Sequence, residues 1–281
     1  MWSGMSLLDQ KVWRVIDQSA LGDGFDGRQS FAMDDTLCES VGSGNSPCTA
    51  RLWVHQNTVM LGTQDTRLPH LSEALDVLRR AGYRYLTRNS GGLAVVLDSG
   101  ILNLSLIFSE NRHPLTIDET FQAMVDFISK VLHPFHIPFR TGEISESYCP
   151  GRYDLSTDGR KFAGISQRRV KRGIAVQIYL CITESGSSRA RLIQSFYRKG
   201  LKGEKTKFTY PNVVPESMAS LEEISGQALT VPQLSGAILH TLQTFGKVIM
   251  APLSGPESLL FGKYYERMIQ RNERAFGTHQ S

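Results

Sequence analysis

Ile117, Phe121, Met124, Val125, Ile128 and Leu132 recur at the three- and four-residue spacing of one α-helical face, and they mark the clearest amphipathic helix of the chain. The same period puts Met33, Leu37 and Val41 on the buried face of a helix that Asp26 and Gln29 open as a capping box. It predicts a helix through Leu71, Leu75 and Leu78 that ends at Gly82. Ser187 or Ser188 is expected to cap a helix that runs through Tyr197 to near Gly200. Thr230 caps another, with Leu234, Ile238, Leu242 and Phe245 on one face. After a break at residues 251–256, a last helix is expected from about Glu257 to Phe276, with the residues beyond it disordered.

Alternating positions predict the strands. Residues 11–16 read as a short one, and a strand through Tyr85 follows the Gly82 turn. Residues 52–54 and 59–61 read as a strand pair joined around Gln56 and Asn57. In residues 101–108, Leu102, Leu104, Leu106 and Phe108 share one face while Asn103 and Ser105 occupy the other, the pattern of a half-buried strand with a polar side. A tight turn at Lys171-Arg172-Gly173 leads into Ile174, Val176, Ile178, Leu180 and Ile182, the inward face of another strand. Hairpins and helices are interspersed without regular alternation. This implies an α+β fold with a mixed, largely antiparallel central sheet flanked by helices, not a doubly wound sheet.

Composition narrows the class. A hydrophobic content of 41% with 21% charged residues is that of a soluble globular protein. No apolar run reaches the roughly 20 residues of a membrane span, and the N-terminus lacks the order of a signal peptide, so a cytoplasmic protein without membrane association is expected. The four cysteines, Cys38, Cys48, Cys149 and Cys181, form no CxxC pair and no disulfide framework, which fits a reduced compartment and argues against zinc. His133 and His136 have no third ligand in register, so they are taken as surface or loop residues and no metal is expected. The net charge of +4 suits an acidic protein partner as well as nucleic acid. No basic stripe with interleaved aromatics accompanies it, so nucleic acid is disfavoured. Residues 199–207 are charged and glycine-containing and read as a solvated loop.

One stretch, SESYCPGRYDLSTDGRKFAGISQRR at residues 145–169, sets Cys149 between Tyr148 and a Pro150-Gly151 turn, with Lys161 at the start of a strand after the Asp158-Gly159 turn. A thiol becomes a useful nucleophile as thiolate, and nearby cations favour that form. Arg152, Lys161, Arg168 and Arg169 stand close in sequence, and the turn residues suggest a rigid, exposed bend. Cys149 is therefore the candidate nucleophile; the alternative is a small buried hydrophobe. For Lys161 the alternative is a strand-end lysine in solvent. Arg88-Asn-Ser-Gly-Gly92 interrupts two apolar strands, where paired glycines expose N–H groups and let a substrate chain approach; an ordinary hairpin turn is the competing interpretation. GDGFDG at residues 22–27 matches GxGxxG literally, but Asp23 and Asp26 would face a pyrophosphate and no acidic residue ends the next strand.

Three stretches in order, WVHQNTVMLGTQD (53–65), RNSGGLAVVLDSGILNLSLIF (88–108) and GRYDLSTDGRKFAGISQRR (151–169), together resemble the biotin/lipoyl protein ligase family, and SYCPGRYDLS resembles its cysteine-dependent octanoyltransferase branch. The resemblance runs from about Trp13 to beyond Tyr197. It implies that Arg88, Ser90, Gly91 and Gly92 line an acyl pocket, that Cys149 carries an acyl thioester and that Lys161 contacts the acyl carbonyl region and lowers the pKa of the thiol. Asn89 stands where the ligases usually have a second arginine, and Leu93 where many have a third glycine, so ATP activation is not implied and no cofactor is expected.

The implied reaction moves an octanoyl group from the lysine of the glycine cleavage H protein to lysines of lipoyl domains in 2-oxoacid dehydrogenase complexes. An octanoyl-acyl carrier protein donor is the first alternative, and a non-catalytic module that grips lipoyl domains is the second. The implied organisation is an N-terminal strand and helix over residues 1–42, a catalytic domain over 43–248 and a C-terminal helix over 249–281 packed on it.

Overall fold

Eleven strands and seven α-helices alternate irregularly among the residues that the computed structural model describes, 6–111 and 113–277. The strands are β1 (Val12–Gln18), β2 (Thr49–Trp53), β3 (Thr58–Leu61), β4 (Arg84–Thr87), β5 (Val95–Leu97), β6 (Ile101–Ser109), β7 (Arg140–Thr141), β8 (Leu155–Thr157), β9 (Arg160–Val170), β10 (Gly173–Cys181) and β11 (Lys247–Met250). The helices are α1 (Gly27–Gly42), α2 (Leu71–Arg80), α3 (Ile117–Leu132), α4 (Gly186–Leu201), α5 (Leu221–Ser225), α6 (Val231–Gln243) and α7 (Gly255–Phe276). Eight strands form one sheet in the order β11-β1-β2-β6-β10-β9-β8-β7, and three form a second, β4-β3-β5. Pairing is antiparallel from β2 to β7, whereas β1 runs parallel to β2 and β11, and β3 parallel to β4. The fold is thus α+β, with a mixed, mostly antiparallel sheet flanked by helices.

The central β6–β10 pair explains why helices lie on both faces. Leu102, Leu104, Leu106 and Phe108 meet Ile174, Val176, Ile178 and Leu180 on one side, where Met124 and Ile128 of α3 and Leu234 and Ile238 of α6 complete a core. The other side was expected to meet solvent through Asn103 and Ser105. Instead, Ile101 to Phe108 are all buried, because α1 covers this face. The Asp34 carboxylate of α1 accepts from Ser105 Oγ at 2.7 Å, from Gln177 Nε2 at 2.6 Å and from the Arg51 guanidinium at 2.7 Å. A buried ion pair persists only when its remaining polar sites find partners, and here Ser105 of β6, Gln177 of β10, and Ser30 and Gln18 supply them.

Connections differ from the local pattern in four places. β2 and β3 do not pair, because β2 belongs to the large sheet and β3 to the small one, so the loop around Gln56-Asn57 carries the chain between sheets. Residues 88–94 are not a hairpin turn, since β4 and β5 pair with opposite sides of β3. The cap of α4 is Ser185, whose side chain accepts from the Ser188 N–H, two residues before the earliest expected start. α7 begins at Gly255 under a Ser254–Glu257 capping box, with Pro256 in its first turn, where a missing N–H has no intrahelical partner to lose. The residues after Gly277 lie outside the described ones. Among the described residues, no helix is long and apolar enough to cross a membrane.

Asp26 caps α1 as expected, forming the box with Gln29. Its carboxylate accepts the Arg28 N–H at 2.8 Å, so the residues of the GDGFDG stretch serve the helix start rather than a pyrophosphate.

Candidate active site

Cys149 adopts a left-handed backbone conformation, φ 48°, which is uncommon for a residue with a side chain and is held here by surrounding bonds. Lys161 of β9 is the main holder. Its ammonium is completely buried and donates to Cys149 O at 2.8 Å, Tyr148 O at 3.0 Å and Ser147 Oγ at 3.2 Å, and it pairs with Asp154 at 3.0 Å. The Asp154 carboxylate also accepts the Gly151 N–H at 3.0 Å and the Ile144 N–H at 3.3 Å, so it ties both arms of the cysteine loop to Lys161. Burial pushes the Asp154 carboxyl upward, while Lys161 and the two N–H groups oppose that shift.

The thiol itself meets a different cation. Arg88 lies 61 residues before Cys149, and its Nη2 donates to Sγ at 3.3 Å and to Leu93 O at 2.6 Å. The Leu93 N–H donates to Sγ at 3.2 Å. Sequence proximity had suggested Arg152, Arg168 and Arg169 as well, but Arg152 pairs with Asp118, Arg168 with Asp35 and Arg169 with Glu110. Lys161 lies on the carbonyl side of Cys149, whereas the sulfur accepts from Arg88 and from the Leu93 N–H.

Gly92 makes this approach possible. It has φ 104°, and a Cβ there would fall against Arg88 Nη2 and 2.8 Å from Cys149 Sγ. The 88–93 loop is anchored on one flank by Asn89 Nδ2, which donates to Asp35 at 2.9 Å, and Arg168 Nε donates to the same carboxylate at 2.8 Å. Below the loop, Tyr197 Oη donates to Asp65 at 2.8 Å and accepts the Ala94 N–H at 3.3 Å, and Asp65 takes the Gly62 N–H at 2.7 Å. Burial raises the Asp65 carboxyl to about 6, against these hydrogen bonds and the nearby Arg88.

Cys149, Arg88, Ser90, Gly91 and Gly92 all border one cavity of about 370 Å³ between the two sheets. Its walls are largely apolar, with Phe31, Trp53, Met60 and Leu97 among them. Ile117, expected on the buried face of α3, is 57% exposed and lies at this cavity with Phe121. Two hydroxyls in the wall, Ser90 Oγ and Tyr179 Oη, are buried without a hydrogen-bond partner. Unpaired buried hydroxyls are costly and mark positions for a polar ligand atom. Lys161 does not border the cavity; its ammonium sits 5.9 Å from the centroid of the Tyr179 ring, behind the wall.

Cys149 thus stands with two donors aimed at its sulfur at the edge of an apolar cavity, an arrangement that can seat an apolar chain beside a nucleophile. Residues 26–243 match the family model described as lipoyl protein ligase A/B catalytic domain. The chain belongs to this family. A curated relative from Bacillus velezensis is 53% identical over 280 residues, covering 99% of this chain and 98% of its own. One from Geobacillus kaustophilus is 53% identical over 270 residues, covering 96% and 95%. Both are named octanoyl-[GcvH]:protein N-octanoyltransferase. Among solved structures, lipoate-protein ligase A bound with ATP is similar at a TM-score of 0.71, with 16% identity over 95% of this chain and 98% of its own. A bi-partite lipoate protein ligase from Thermoplasma acidophilum reaches 0.67, with 16% identity over 94% and 95%. At that identity the likeness is one of fold.

Within the family fold, sequence reasoning missed Asp154, Leu93, Tyr179 and Asp65. Leu93 acts through its backbone, which no residue type advertises. Asp154 stands in a loop and Asp65 opens a short 3₁₀ helix, places where a carboxylate is usually solvated, and Tyr179 looks like an ordinary strand aromatic. Only their burial separates them from such residues.

Proposed function

We propose that the protein is an octanoyl amidotransferase that takes the octanoyl group from the lysine of the glycine cleavage H protein and passes it to lysines of lipoyl domains of 2-oxoacid dehydrogenase complexes. The observation that carries this reading is the Cys149 thiol under Arg88 Nη2 and the Leu93 N–H at the edge of the apolar cavity. The names of relatives at about half identity over nearly the whole chain support the donor.

In the first step Cys149 attacks the carbonyl carbon of the octanoyl-lysyl amide. The C–S bond forms, the C–N bond breaks, and the thiol proton leaves on the amine of the H protein. Charge moves from sulfur to the carbonyl oxygen and back, beside the Arg88 and Leu93 donors. Ser90 Oγ and Tyr179 Oη offer the acyl carbonyl region partners they otherwise lack. The second step reverses the first with the acceptor amine, which gives up its proton to the departing sulfur. Exchange of one lysyl amide for another is close to thermoneutral, so the reaction needs no ATP. Each methylene of the chain gains about 0.8 kcal/mol when buried, which suits a narrow apolar cavity.

Lys161 supports the reaction by holding the Cys149 carbonyl, which fixes the left-handed turn that presents the thiol. The test is the intact mass after incubation with octanoylated H protein, with octanoylated acyl carrier protein in parallel. A hydroxylamine-labile octanoyl adduct from the H protein, absent in Cys149→Ala, is expected. An adduct formed only from the carrier protein would change the donor. Transfer by Cys149→Ala at the wild-type rate would refute the covalent route.

A further inference from the structure

The small sheet leaves a backbone obligation at its edge. β4 pairs with β3 on one side only, so the Thr87 N–H and C=O of the other side have no strand to meet. Asn272, fully buried in α7, meets both. Its Oδ1 accepts the Thr87 N–H at 2.8 Å, and its Nδ2 donates to Thr87 O at 3.2 Å and to Met268 O of its own helix at 2.9 Å. The neighbouring Arg271 donates from Nε to Arg88 O at 3.0 Å and from Nη2 to Thr63 Oγ1 at 2.7 Å. On the β3 side, the Arg88 N–H bonds Leu61 O at 2.9 Å. Both peptide planes flanking the Cα of Arg88 are therefore pinned, two of the pins coming from α7. α7 lies wholly outside residues 26–243, the stretch that matches the family.

We propose that Asn272 and Arg271 are positioning residues of the transfer site: from the C-terminal helix they fix the Arg88 backbone so that its guanidinium meets the Cys149 sulfur. This rests on the reading of Cys149 as the nucleophile and Arg88 as its cation. α7 also has an ordinary packing role, with Met268 and Phe276 in the core under the small sheet. A purely packing helix and a positioning helix differ in what they do to the thiol. Loosened packing exposes Cys149 and speeds its capture by an alkylating agent. A displaced guanidinium withdraws charge from the thiolate and slows it.

The experiment follows iodoacetamide capture of Cys149 at neutral pH by peptide mass spectrometry, on the full chain. Arg88→Gln is expected to slow capture several-fold, because the sulfur loses the guanidinium that contacts it at 3.3 Å. Asn272→Ala and Arg271→Met are each expected to slow it several-fold, and neither to slow it further in an Arg88→Gln background. If Arg88→Gln slows capture while both α7 variants leave it unchanged or faster, α7 is only a cover and the inference falls. If Arg88→Gln itself leaves capture unchanged, the role of Arg88 falls and the inference falls with it. Should Asn272→Ala fail to fold, the half-buried Arg271 carries the same test.

Discussion

At the scale of single residues, the site is built by division of labour around one cysteine. Lys161 and Asp154 hold its main chain, while Arg88 and Leu93 hold its sulfur. Gly92 has little freedom to change. Gly92→Ala would put a methyl group against the guanidinium and 2.8 Å from Sγ, in a backbone conformation that disfavours any side chain. It is expected to abolish acyl-enzyme formation, read by intact mass, while lowering stability by only about 1–3 kcal/mol, read by thermal unfolding. Lys161→Met leaves Asp154 buried without its cation, and such a break costs about 3–5 kcal/mol. Replacing Asp154 by Asn in that background is expected to recover part of the melting temperature but none of the transfer, because the Cys149 carbonyl stays unheld. Recovery of transfer in the double variant would reduce Lys161 to a structural ion pair.

At the scale of elements, what matters is how closely backbones approach. α1 lies against the start of β10: a Cβ on Gly173 would fall on the Cys38 carbonyl, and one on Gly42 would meet the Gly173 amide. The obstacle is helix and strand backbone, which cannot swing aside as a side chain can. Gly173→Ala is expected to destabilise by about 1–3 kcal/mol or more, checked by denaturant unfolding. It should also weaken transfer, because α1 carries Asp35, the anchor of Asn89 in the glycine loop. Helix caps were legible in the sequence at α1 and α6, where Asp26 and Thr230 bond the N–H groups their positions predicted. Strand pairing was less so. Residues 52–54 and 59–61 look like one hairpin, yet they enter different sheets, because the partner of each strand is chosen by residues far along the chain.

At the scale of the whole molecule, buried titratable groups give stability a pH dependence. Asp65 is raised from 3.8 to about 6, chiefly by burial. Folding therefore favours its protonated form; the associated stability is full below about pH 4 and is lost as pH rises through about 6, by at most about 3 kcal/mol. His55, lowered from 6.5 to about 3 by burial, works in the opposite sense, since its stability is present above the upper value and lost as pH falls. Asp65→Asn should remove the first effect and leave the second. Melting temperatures between about pH 4 and 7 should then rise more steeply with pH in the variant than in the wild type. Equal slopes would show that Asp65 titrates as it does in the unfolded chain.

By itself the sequence determined what short-range physics determines: most of the helices with the caps of α1 and α6, the turn that sets Cys149 apart from a core cysteine, and a motif specific enough to identify the family. Those features depend on neighbours a few residues away. It could not determine that a polar stripe on β6 faces a buried Asp34–Arg51 pair instead of water, since a polar residue carries the same pattern in both settings. Nor could it choose among the cations for the thiol. Arg152, Lys161, Arg168 and Arg169 follow Cys149 closely, but each of these four is committed to a carboxylate, and the guanidinium at the sulfur comes from the end of β4. Tertiary structure decided these points because buried charges, open strand edges and lone pairs must all be satisfied together, and which partner remains free emerges only when every strand has its register.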